Sequence, residues 1–226
     1  MTLKPSPSIA QMRIDLLEDI ETVRASASIS FEPVLVAVSK KQPEERIDAA
    51  LHVGHRVFGE NRVQEAQGRW AERRKSYSDL QLRLIGPLQT NKAEDAIALF
   101  DVIETLDRPK LARSLAKAMN KLGRSVPVLI QVNTGEEPQK AGCKPGELPE
   151  LLAVAQELGL SVVGLMCIPP ADEPSGPHFA LLAGLAKRYD LVEISMGMSG
   201  DYQTAIRFGA THVRIGSAFF GSRIDV

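Results

Sequence analysis

The chain has 226 residues, 44% hydrophobic and 24% charged, with 27 basic against 28 acidic side chains. A net charge of -1 gives no global positive field to draw in nucleic acid or an anionic membrane. The composition is that of a soluble globular protein, and the length suits one α/β barrel.

Only two cysteines occur, Cys143 and Cys167, in no metal-binding spacing, as in a reduced intracellular protein. The opening MTLKPSPSIAQMRIDL has no apolar core of a secretory signal, and residues 1–8 are expected to be a flexible lead-in. No apolar run is long enough to span a bilayer. These features predict a cytoplasmic protein.

Apolar residues at Ile9, Met12, Leu16, Leu17, Ile20 and Val23 fall on one helical face. Eight short apolar runs follow: Val34–Val38, Arg56–Phe58, Leu82–Ile85, Val102–Leu106, Val128–Val132, Val162–Ile168, Leu191–Ile194 and His212–Ile215. Helical patterns separate them, over Pro43–Val53, Asn61–Lys75, Asn91–Phe100, Arg108–Leu122, Leu148–Leu158, Pro177–Arg188 and Asp201–Phe208. Glycines at 54, 123, 159 and 209 stand where several of these patterns stop.

Strands alternating with helices predict parallel strands joined by right-handed crossovers. Eight such units are the number that closes a barrel, with runs apolar on both faces, so the predicted fold is a single (β/α)8 barrel over 1–226 preceded by an extra helix. A doubly wound open sheet is the competing architecture. The longest irregular segments, Asn133–Gly146 and Pro169–Gly176, each follow a predicted strand and so belong to the C-terminal face, where barrels build their sites.

Several segments could carry chemistry. Ser195-Met196-Gly197-Met198-Ser199-Gly200-Asp201 leads from a strand into a helix that Asp201 could cap, and the last strand ends in Gly216-Ser217. Loops at these positions in a barrel suit a phosphate, although ordinary turn chemistry explains the same residues. Arg214, within an apolar strand, needs a partner, and an acid on a neighbouring strand would serve. Asn61 and Asn91 each stand near a helix start and read as N-caps. His52 and His55 have a glycine between them and no third ligand, so no metal site is expected, and His178 and His212 read as incidental. Lys40 and Lys41 close the first strand, where a partly desolvated amine can attack an aldehyde. They point to opposite faces, and parity alone does not say which face is inside.

Taken together, AVSK at 37–40, FGEN at 58–61, IGPLQTNK at 85–92, GLM at 164–166, and SMGMSGD through RIGSAFFG at 195–221 resemble the YggS/PROSC family of pyridoxal 5′-phosphate (PLP) homeostasis proteins. The resemblance spans nearly the whole chain in order, and its motifs are far more specific together than singly. It implies a barrel of the PLP-dependent alanine-racemase type. It further implies that Lys40 forms a Schiff base with PLP and that Arg214 faces the pyridine nitrogen. Ser199, Gly216 and Ser217 would hold the phosphate, with Asn61 and Met166 beside the ring and Lys140 near the site. The family usually has histidine where this chain has Arg83, which would change the charge next to the cofactor.

An arginine at the pyridine nitrogen weakens the ring as an electron sink. A racemase on this barrel also needs a second acid/base, usually a tyrosine from a C-terminal β-domain. The sequence ends five residues after Gly221, and Tyr77, Tyr189 and Tyr202 match no such role. The expectation is therefore a monomeric PLP carrier that could supply apo PLP-dependent enzymes. A slow amino-acid racemase is the alternative, and a barrel for another phosphorylated ligand, with Lys40 only pairing its charge, is a third.

Overall fold

The computed structural model describes residues 8–221. Eight parallel strands close into one barrel in chain order: β1 Val34–Val38, β2 Val57–Glu60, β3 Gln81–Leu84, β4 Val102–Leu106, β5 Val128–Gln131, β6 Val162–Met166, β7 Glu193–Ser195 and β8 His212–Ile215. β8 returns to β1 with Val34, Leu35, Val36 and Ala37 beside His212, Val213, Arg214 and Ile215. The expected barrel is present, and the open sheet is excluded by that pairing.

Helices α2 Glu44–His52, α3 Val63–Ser76, α4 Ala93–Leu99, α5 Pro109–Leu122, α6 Leu148–Glu157, α7 Ser175–Arg188 and α8 Tyr202–Arg207 follow their strands, and α9 Ser217–Phe220 closes the described chain. The expected N-terminal helix is α1, Ile9–Ser26, capped by Ser8, whose Oγ accepts the Gln11 N–H at 3.2 Å. The rest of the lead-in, residues 1–7, lies outside the described residues.

α5 shows how local sequence sets these elements. Pro109 fits the first turn, where an N–H has no helical partner, and Gly123 ends the helix in the left-handed region at φ 59°. Between them Leu111, Ala112, Leu115 and Met119 turn one face onto the barrel. The largest core lies between strands and helices. Phe58 of β2 packs on Trp70 of α3 with ring centroids 4.7 Å apart, both fully buried, and truncating such a ring costs about 3–5 kcal/mol.

α1 packs against α2, α8 and α9. Asp19 on α1 accepts from Tyr202 Oη at 2.5 Å and Gln203 Nε2 at 2.7 Å, tying this helix to α8.

The barrel interior departs from expectation. Strands apolar on both faces were predicted, yet Arg83, Glu104, Ser195 and Arg214 are buried and joined by hydrogen bonds. The outward residues of the same strands, Leu82, Leu84, Ile103, Val213 and Ile215, join the main apolar core, which made each run read as apolar throughout.

Candidate functional site

Alternation along β1 decides between the two lysines. Leu35 and Ala37 belong to the outer core, so Val36, Val38 and Lys40 share the inner face. Lys40 accordingly lines a cavity of about 590 Å³ at the C-terminal mouth of the barrel. Lys41 is exposed, with φ 57°, in the turn closed by the Gln42 N–H donating to Ser39 O at 3.1 Å. Opposite placements of the two amines follow from one residue of register.

The turn bearing these lysines is clamped from outside. Ser39 Oγ donates to Glu60 Oε1 at 2.7 Å, and the same oxygen accepts from Trp70 Nε1 and Arg69 Nη1, both at 3.0 Å. Arg69 also donates to Ser39 O at 2.8 Å and Gln42 O at 3.3 Å. Burial opposes the charge on Arg69, but Glu60 and then Glu44 outweigh it and raise its pKa. The glutamate of the GEN segment thus supports the loop that presents Lys40.

The remaining wall comes from the ends of other strands: Asn61 after β2, Ile85 after β3, Ile168 after β6, Met198, Ser199 and Gly200 after β7, and Arg214, Gly216 and Ser217 on and after β8. Ser199 Oγ accepts the Ala218 N–H at 3.3 Å, drawing together the two loops read as phosphate-binding. Asp201 does not cap α8 with its side chain; its carboxylate turns back to accept the Met198 N–H at 2.6 Å. The bend at Gly197, φ 91°, leads into this loop.

Asn61 is not a helix cap. The N-cap of α3 is Arg62, and Asn61 Oδ1 is buried with no hydrogen-bond partner among the described residues. Such an acceptor is costly unless a ligand donates to it. Asn91 is not a cap either: it lies within a 3-10 turn, Thr90–Lys92, ahead of α4.

Arg214 lies at the inner end of the cavity. Its Nη1 donates to Ser195 Oγ and its Nη2 to Cys167 O, both at 2.8 Å. Among the described residues no carboxylate ion-pairs with it directly, contrary to the simplest reading of an arginine in a strand.

Three other expected site residues stand off the wall. Met166 faces inward but is fully buried with Val102 and Leu129; Ile168, two residues further along, takes the place on the cavity. Arg83 is separated from the cavity by Arg214, Ser195 and Glu104, because it sits inside β3 and its guanidinium is drawn to Glu104 and Glu193. Lys140 ion-pairs with Glu137 at 2.5 Å and donates to Pro169 O at 3.2 Å, linking two mouth loops. Ile85 and Ile168 were missed as wall residues; their place just past strand ends was the available signal.

The other candidates have local partners. His52 and His55 meet the carbonyls of Asp48 and Val57, at 2.7 and 2.8 Å. Cys143 and Cys167 are buried, which pushes both thiols up to about 12 and leaves them unreactive. His212, read as incidental, belongs to the barrel interior, 3.7 Å from Glu193 Oε2.

The alanine racemase N-terminal domain model matches residues 16–224. A pyridoxal phosphate homeostasis protein of Vibrio cholerae is 41% identical over 212 residues, covering 88% of each chain. The chain belongs to the YggS/PROSC family of PLP homeostasis proteins. Its Escherichia coli K12 relative of the same name is 38% identical over 202 residues, 85% of this chain and 86% of that one. Among solved structures, the family member PipY of Synechococcus elongatus with PLP bound superposes with a TM-score of 0.78 at 36% identity, covering 95% of this chain and all of PipY. An alanine racemase of Clostridium difficile shares the fold at a TM-score of 0.70 and 15% identity, this chain covering 57% of it.

Proposed function

We propose that this protein binds PLP in the mouth cavity, holds it reversibly as a Schiff base on Lys40, and serves PLP homeostasis without robust turnover of its own. The residues present suit that ligand. Asn61 Oδ1 is a buried acceptor awaiting a donor. The joined loops at Ser199, Gly216 and Ser217 line the cavity with hydroxyls and backbone N–H groups that would hold a phosphate, and Arg214, on the same wall, would face the ring nitrogen. When bound, PLP supplies an aldehyde open to amines and an electron-withdrawing ring.

The observation that carries the carrier reading is the composition of the wall. Among the described lining residues Lys40 and Arg214 are the only ionisable side chains, and an arginine stays protonated; the rest are Asn61, serines, glycines and apolar residues. Racemisation needs a proton acceptor and a donor on opposite faces of the substrate. Among the described residues no tyrosine or histidine lines the cavity, and Tyr202 is directed to Asp19 instead. Burial first, and then Asp19, push its phenol up to about 12.

In this reading the protein acts as a monomer in the cytoplasm and releases PLP to apo PLP-dependent enzymes. The test is solvent deuterium incorporation at Cα of alanine and serine by the PLP-loaded protein. Exchange slower than about 1 per second, the low end of ordinary enzymes, agrees with a carrier; faster exchange overturns it in favour of a racemase.

A further inference from the structure

Beneath the cavity a chain of buried polar groups crosses the barrel interior, and the PLP reading leaves it without a role. Arg214 Nη1 donates to Ser195 Oγ, whose hydroxyl donates to Glu104 Oε2 at 2.6 Å. The other oxygen of Glu104 accepts from Arg83 Nε, and Arg83 Nη2 reaches Glu193 Oε2 at 2.6 Å. Glu104 is fully buried and Arg83 is 1% exposed, whereas the Glu193 side chain is 27% exposed. The chain therefore runs from the cavity wall to a solvent-touching carboxylate.

The charges balance along it. Burial works against the Glu104 charge, but the Arg83 and Arg214 guanidiniums and the Ser195 hydroxyl outweigh it and hold the carboxyl below its ordinary range. Burial likewise opposes the charge on Arg83, which Glu104 and Glu193 more than restore. His212, which also lies in the interior, is lowered to about 4 by burial and by Arg83, so its approach to Glu193 is not an ion pair at neutral pH.

Three buried charges, Arg83, Glu104 and Arg214, are a poor way to stabilise a barrel, since apolar side chains of equal volume serve as well or better. Their geometry is directional instead. The chain ends on Arg214, the single arginine among the described residues of the cavity wall, and it grips one guanidinium nitrogen while Cys167 O grips the other. We propose that Glu104 is a positioning residue for Arg214: acting through Ser195, and itself locked by Arg83, it fixes the orientation in which Arg214 faces the cavity. Arg83 is then not a cofactor contact but the counter-charge that lets a buried carboxylate do this. What Arg214 faces rests on the PLP reading; how it is held does not.

The test uses full-length protein as wild type, Glu104→Gln, Ser195→Ala, Arg214→Met, and each of the first two combined with Arg214→Met. Ser195→Ala keeps every charge and cuts only the link, so it serves if Glu104→Gln folds poorly. With PLP, both single variants should retain the visible absorbance band but move its pH midpoint by at least about half a unit. That shift should disappear in the Arg214→Met background, because the effect passes through Arg214. Without PLP, the side-chain N–H resonances of Arg214, assigned by their loss in Arg214→Met, should be slowly exchanging in wild type and fast in Ser195→Ala. Absence of the band in wild type would overturn the PLP reading alone, and the resonances would still judge the positioning. Unchanged resonances in Ser195→Ala, or a midpoint shift that persists without Arg214, would overturn the positioning role.

Discussion

Val36 of β1 stands in register with Arg214 of β8, and both turn into the barrel. One alternation therefore fixes two features of the site, since Lys40 shares the face of Val36, four residues along the strand direction. The amine and the guanidinium come to one cavity from adjacent strands where the barrel closes.

Gly86 lies against the backbone of Asn61: a Cβ there would stand 2.2 Å from Asn61 O and 2.6 Å from its Cα. Neither atom is the end of a flexible side chain, so Gly86→Ala must displace the segment carrying Asn61. We expect a loss of about 1–3 kcal/mol in urea unfolding, together with at least a tenfold weaker PLP affinity by fluorescence titration. Wild-type affinity in this variant would remove Asn61 from the binding site.

Arg69 is the clamp on the Lys40 turn and the counter-charge of Glu60, which is fully buried. Arg69→Met leaves that carboxylate without its cation and frees two carbonyls. Thermal and urea unfolding of the PLP-free protein should show a loss of about 2–4 kcal/mol. Arg69→Lys, which cannot bridge the same set of acceptors, should recover only part of it.

Acid should destabilise the fold through two histidines. His55 packs against Phe58 and Phe219, with centroids 5.0 and 4.9 Å away, and His212 lies in the barrel interior. Burial is the main cause holding each at about 4 against an ordinary 6.5. Between those values the unfolded chain binds more protons than the folded one, so stability falls as pH drops from about 6.5 toward 4 and levels below that. The contribution is up to about 3 kcal/mol per group. Replacing His55 by Phe should roughly halve the slope of unfolding free energy against pH in that window.

The barrel was legible because each strand belongs to a short, largely apolar run between helical patterns; β1, β4 and β8 have the predicted boundaries. The interior was not. Glu104 and Arg83 look like isolated charges in apolar runs, and their partnership needs adjacent strands brought together across 21 residues of chain. Neither could alternation alone assign Lys40 to the inside, since that required knowing that Leu35 and Ala37 meet helices. Motif resemblance supplied Lys40, Asn61, Ser199, Arg214, Gly216 and Ser217, all of which line the cavity. It also named Met166, which lies beneath the wall with Val102 and Leu129, because a motif does not tell a wall residue from one a layer below. Asn61 and Asp201 misled as caps, since their helices begin in turns whose side chains bond elsewhere or not at all.

Lys40, rather than Lys41, is expected to capture PLP covalently. Borohydride reduction of the PLP-loaded protein, followed by denaturation and peptide mass spectrometry, tests it directly. The expected product is a phosphopyridoxyl adduct on Lys40 that is lost in Lys40→Ala and retained in Lys41→Ala. An adduct that survives Lys40→Ala unchanged, or no adduct on protein that demonstrably holds PLP, would contradict it.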